Sequence, residues 1–135
     1  MNKAAVDRIT NILTNSKNFF ISTTDGTRPY VRPYNAVVEF EDKLYFYTNN
    51  RTRAFKQIET NPFIEICAMI GDDRWLRVNG KVEYDYRPEV KKAMLEANPE
   101  LKSMYSEDDK IFYVFYLSNM EAKIHSSYSE PEIIC

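Results

Sequence analysis

The sequence predicts a mainly β protein with short helices, an antiparallel sheet curled into a small barrel. Three observations carry that prediction. Apolar runs of five to eight residues, rich in Tyr, Phe and β-branched residues, recur along the chain. Turn signals separate most of them by a few residues, as in hairpins. Strands this aromatic cannot leave long edges open without aggregating, and closure into a barrel removes the edges.

Each element is justified in chain order. Residues 4–14 read as an amphipathic helix, with Ala5, Ile9, Ile12 and Leu13 at helical spacing. "FFIST" (19–23) is a short strand, and Asp25-Gly26 after it signals a two-residue hairpin, because Gly accepts positive φ. "YVRPYNAVVEF" (30–40) is the return strand. Pro33 within it cannot donate to a ladder and marks a bulge or an unpaired edge position. Glu41-Asp42-Lys43 is the next turn and "LYFYT" (44–48) the third strand. "RAFKQIE" is a short helix with Phe55 and Ile58 inward, stopped by Asn61-Pro62. "FIEICAMI" and "RWLRVNGKVEY" are strands on either side of Gly71-Asp72-Asp73. "RPEVKKAMLEAN" is a helix with Pro88 in its first turn and Val90, Ala93, Met94 and Ala97 on its buried face. "IFYVFYLS" and "MEAKIHS" are two final strands.

The chain has 135 residues, the size of one domain, so residues 1–135 are expected to form a single unit. Net charge is -2 with a pI near 5.5, and no basic stripe is present. That disfavours a nucleic-acid-binding barrel. The two cysteines, Cys67 and Cys135, form no CxxC, so a reducing, cytoplasmic setting is expected. No run of about 18 apolar residues suggests a membrane span. A lone His125 among scattered carboxylates gives no metal-ligand spacing.

"YTNNRTRAF" (47–55) is the segment that asks for a ligand. Thr52 is placed to cap a helix. Arg53 and Lys56 follow at i and i+3, with Arg51 just outside. Cations at a helix start oppose the macrodipole by a few tenths to about 1 kcal/mol. An anion docked there reverses the sign, since free N–H groups, the dipole and the guanidinium groups all favour it. Thr48, Asn49 and Asn50 add polar groups. By period two, Arg32 shares a face with Tyr34, Ala36, Val38 and Phe40, where a cation wants an anionic partner. A hairpin across residues 41–43 would bring Arg32 near residues 48–53, so that Arg32, Thr48 and Arg53 converge on one phosphate. The alternative reading is a set of solvated surface charges. Trp75 and Arg77 alternate on one strand face, as for covering a planar ring or making a cross-strand or subunit contact.

The ordered set "VRPYNAVVEFEDKLYFYTNNRTRAFKQIETNP", an apolar strand and "WLRVNGKVE" resembles the pyridoxamine 5'-phosphate oxidase-like, FMN-binding split-barrel family, over about residues 4–128. It is most similar to the short bacterial members termed pyridoxamine 5'-phosphate oxidase-related. The resemblance implies a six-stranded split β-barrel that forms a homodimer, with FMN in each cleft between subunits. It implies that Arg32 binds the phosphate and that Pro33, Tyr34 and Asn35 run along the flavin. Tyr47 and Thr48 match a contact pair, and Thr52 and Arg53 match a Ser-Arg that holds phosphate. Ala54 stands where Lys is common in the family, and Lys56 supplies a charge one turn along. Trp75 falls near a position that reaches the flavin from the other subunit. The C-terminal "SYSEPEIIC" lacks the Arg and His with which the true oxidases hold substrate, so vitamin B6 oxidase activity is not expected.

The expected function is a flavoprotein oxidoreductase moving a hydride through flavin N5, with a nicotinamide donor or a small-molecule substrate. The alternative is a non-catalytic module that stores or senses FMN, haem or the deazaflavin F420. No residue stands out as acid or base.

Overall fold

A computed structural model describes residues 2–135; residue 1 of the expected domain lies outside the described residues. The elements in order are α1 (Lys3–Asn15), β1 (Phe19–Thr24), β2 (Pro29–Tyr34), β3 (Val38–Phe40), β4 (Lys43–Asn49), α2 (Arg53–Thr60), β5 (Phe63–Ile70), β6 (Arg74–Asp85), α3 (Pro88–Ala97), a 3-10 helix (Pro99–Ser103), β7 (Phe112–Ser126) and β8 (Glu132–Ile133). The strands form one antiparallel sheet in the order β2-β1-β5-β6-β7-β4-β3, with β8 beside β7.

Eight strand segments stand where the sequence marks seven runs and the family resemblance implies six barrel strands. The predicted strand 30–40 is broken in two. Its first half, β2, pairs with β1, and its second half, β3, pairs with β4 at the other end of the sheet. Residues 35–37 make the crossing, and buried Ala36 and Val37 enter different core clusters. Pro33 is accommodated because β2 is an edge strand. No backbone pairing joins β2 to β4 among the described residues, so the barrel is split there. Tyr34 and Tyr47 meet across the seam, with ring centroids 5.6 Å apart.

The two predicted final strands are instead one long strand, β7. Its register against β6 slips between Asn79 and Lys81, where β7 carries an extra residue and Asn119 takes φ 52°. This is a β-bulge, which bends a strand and raises its twist. Gly80 faces it, and a Cβ there would stand 2.9 Å from both Leu117 Cβ and Ser118 O.

The turns also differ in detail. Asp25-Gly26 opens a four-residue loop rather than a two-residue hairpin. The Asp25 carboxylate accepts from the N–H of Thr27 and of Arg28, which fixes the wider turn. The two-residue turn is Glu41-Asp42, both at positive φ.

The inner faces of β1, β4, β5, β6 and β7 contribute Phe19, Ile21, Phe46, Ile66, Leu76, Val78 and Phe115 to the main core, and α1 covers it with Val6, Ile9 and Leu13. Asn2 caps α1 by accepting from Ala5 N–H at 2.7 Å. A second core lies outside β4 and β7, where Tyr45, Phe112 and Val114 meet Val90, Met94 and Leu95 of α3. Ala97, expected on the buried face of α3, is exposed, and Leu95 is buried in its place. The reason is the 3-10 helix, whose buried Leu101 joins the same cluster and shifts the buried stripe of α3 toward it. No described helix is long and apolar enough to cross a membrane.

Candidate functional site

α2 begins where β4 ends, and the junction is tightly specified. Asn49 Oδ1 accepts from Arg51 N–H at 2.9 Å, and its Nδ2 donates to Tyr105 Oη at 2.7 Å. Thr52 Oγ1 donates to Asn49 O at 3.0 Å and accepts from Phe55 N–H at 3.2 Å, so Thr52 is the N-cap. Helix geometry leaves the N–H groups of Arg53 and Ala54 without intrahelical partners. No acidic residue stands in the first turn.

Arg32 reaches this helix by a different route from the expected one. β2 does not pair with β4, so no hairpin brings residue 32 to residues 48–53. Curvature of the barrel does it instead. On the inner face of β2, Arg32 Nη1 donates to Thr23 Oγ1 of β1 at 2.7 Å. Thr23 in turn donates to Gln57 Oε1, and both residues are buried. Gln57 lies one turn after Arg53 on α2. Tyr30, two residues before Arg32 on the same face, lies beneath the Arg53 guanidinium, which stands 5.7 Å from the ring centroid. β2 and α2 are thus linked twice, Arg32 to Gln57 through Thr23 and Tyr30 to Arg53.

Among the described residues, none of Arg32, Arg51, Arg53 and Lys56 has a carboxylate within 4.0 Å. Arg8, Arg77 and Arg87, by contrast, are all paired. The interior beside the cations is polar and incompletely satisfied. Thr48 is 2% exposed, and its hydroxyl makes no hydrogen bond. Tyr34 lies beside it. Burial pushes the Tyr34 phenol above its ordinary pKa, opposed in part by the nearby charge of Arg32. Tyr84 Oη is a second buried hydroxyl without a partner, and burial raises its phenol strongly. Both orphans flank Tyr113, which stands opposite Thr48 in the ladder and 5.5 Å from the Tyr84 ring.

The other predicted residues divide between two faces. Tyr47 points away from Thr48 and packs among Tyr34, Tyr105 and Phe112. Pro33 and Asn35 are exposed, Pro33 on the face of β2 opposite Arg32. Lys56 is exposed on α2. Trp75 and Arg77 lie on the outer face of the sheet, away from Arg32 and Arg53. There Trp75 stacks on His125, with centroids 5.9 Å apart and planes 13° apart, and Arg77 pairs with Glu65 at 2.9 Å. Tyr30, Thr23 and Gln57 were missed by the sequence reading. Tyr30 shares period two with Arg32 and was legible in principle; Thr23 and Gln57 needed the hairpin register and the helix docking. A cavity of about 580 Å³ lies at the opposite end of β4, lined by Lys43, Tyr116, Asn119 and Cys135, and contains none of the predicted residues.

The fold is that of an antiparallel split β-barrel, here with a cation-rich helix start. Residues 5–121 match the pyridoxamine 5'-phosphate oxidase family, and the chain belongs to that family. Curated proteins offer no match. Among solved structures, a nimc/nima family protein from Clostridium acetobutylicum is 42% identical over 97% of this chain and 92% of its own, with a TM-score of 0.89. General Stress Protein 26 from Bacillus anthracis is 18% identical over 95% of this chain and 97% of its own, at TM-score 0.72. A heme binding protein from Mycobacterium smegmatis is 14% identical over 98% of this chain and 57% of its own, at TM-score 0.71. The last two share the fold.

Proposed function

We propose that the chain is an FMN-binding oxidoreductase that works as a homodimer. The observation that carries this reading is that Arg53, at the start of α2, and Arg32, tied to α2 through Thr23 and Gln57, both lack a carboxylate partner, while the buried hydroxyl of Thr48 at the end of β4 has no partner. A phosphate monoester suits that donor set. It is dianionic, it accepts from several directions, and it favours helix N-termini. Arg32 and Arg53 would hold it with the free N–H groups of α2, and Lys56 would add charge.

When bound, FMN supplies hydride transfer, which accepts two electrons from a donor and passes them to an acceptor. The chain's own part is to hold and orient the cofactor. Tyr34 and Tyr47 meet across the barrel seam and would shield a bound cofactor from water on that side. Trp75 and Arg77 lie on the outer face of the sheet, and we read them as meeting the cofactor of a second copy. That division is the argument for two subunits per site.

The second reading is a haem-binding module, favoured by the fold shared with the heme binding protein and by half-buried His125 on the outer face. One preparation separates the two. Purified protein is expected to be yellow, to carry two FMN per dimer by native mass spectrometry, and to bleach with NADH or NADPH under anaerobic conditions. A Soret band or a colourless monomer overturns the proposal; FMN that no nicotinamide reduces leaves a flavin-holding module in its place.

A further inference from the structure

Tyr30 has no role in the reading above, yet its ring lies under the Arg53 guanidinium, two residues before Arg32 on the same face of β2. Its phenol donates to Asp25 Oδ2 at 3.2 Å. Asp25 is itself locked in the β1–β2 loop by the N–H groups of Thr27 and Arg28, at 2.8 and 2.7 Å. Those bonds, chiefly the one from Arg28, hold its carboxyl below the usual carboxylate range, so it is an anion at neutral pH. A phenol that donates to a carboxylate gains electron density in its ring, and a richer ring face attracts a cation more strongly. The Arg53 guanidinium lies over that face at 5.7 Å. Arg32, two residues on, leaves the same side of β2 toward Thr23.

We propose that Tyr30 is a positioning residue for the anion site: pinned by Asp25, its ring holds the Arg53 guanidinium beside Arg32 before a phosphate arrives. This rests on the FMN reading and deepens it. An arginine on an exposed helix start samples many rotamers, and fixing it at binding costs affinity. A ring that restrains it beforehand removes part of that cost. It also keeps two like charges close together without direct contact.

The test compares FMN with riboflavin, which lacks the phosphate, by quenching of flavin fluorescence on titration with apoprotein. Tyr30→Leu, which keeps apolar bulk without an aromatic face, is expected to weaken FMN about three- to tenfold and leave riboflavin unchanged. Tyr30→Phe keeps the ring and loses only the pin, so it is expected to recover most of the FMN affinity. Equal loss of both ligands in Tyr30→Leu makes Tyr30 merely structural and overturns the proposal, as does no loss of either. Arg53→Ala distinguishes the two levels. If it weakens FMN selectively while Tyr30→Leu does not, the positioning role falls and the phosphate site stands. If it weakens neither flavin, both fall.

Discussion

Arg32 donates to Thr23 at 2.7 Å, and Thr23 passes a hydrogen bond on to Gln57 of α2. A strand arginine and the middle of a helix, far apart in sequence, are thereby held on one polar chain with no carboxylate in it.

That arrangement predicts how phosphate recognition fails. Arg53→Ala and Arg32→Ala should each remove a charge-assisted contact of about 1.5–3 kcal/mol, or roughly ten- to hundredfold in FMN affinity. Riboflavin should lose far less. Equal losses for both flavins would exclude the phosphate assignment.

Thr48→Val tests the orphan hydroxyl. Replacing a buried, unbonded hydroxyl by a methyl should stabilise the apoprotein by about 1 kcal/mol, since the desolvation penalty goes unrepaid. FMN affinity should fall at the same time if that hydroxyl serves the ligand. Thermal melts of apoprotein and flavin titrations read the two effects, and a change of the same sign in both would count against a ligand role.

Gly80→Ala should destabilise by about 1–3 kcal/mol, because the added Cβ meets Leu117 Cβ and the Ser118 carbonyl at 2.9 Å. The bulge opposite it, at Asn119, cannot retreat without breaking the β6–β7 ladder. Urea unfolding with an unchanged midpoint would refute this.

Acid sensitivity should centre on Asp85. Its carboxyl is held down to about 2, chiefly by Arg87 and then by the Tyr45 phenol, which donates at 2.8 Å. The folded value lies below the ordinary carboxylate range of about 4. The group therefore stabilises the fold above pH of about 4, and this is lost as pH falls from about 4 to about 2. Stability against pH in wild type and Asp85→Asn checks it: the variant should be less stable at neutral pH, with a shallower fall across that window.

Much of the site was legible from residue order. Thr52 caps α2 as the sequence implied, because a hydroxyl before a helical run satisfies its first N–H groups locally. Arg53 and Lys56 lie on the exposed side of the same short helix for equally local reasons. Arg32 was rightly singled out as a cation on an inward face, but its path to α2 was misread. A strand that reads as continuous from 30 to 40 divides at Asn35–Val37, and no local propensity announces the division. The β7 bulge escaped for the same reason: Ser118-Asn119 resembles a turn until the facing Gly80 lets the strand run on.

The sequence by itself determined that this is an aromatic-rich β protein with a capped, cation-rich helix start, because periodicity, capping and charge are written within a few neighbouring residues. Only the tertiary structure decided which strands pair and which cations meet. It set β2 beside β1, left the seam between Tyr34 and Tyr47, and turned Trp75 and Arg77 to the opposite face. The physical reason is that strand pairing is a contest among distant partners for one buried surface, settled by the closure of the whole barrel.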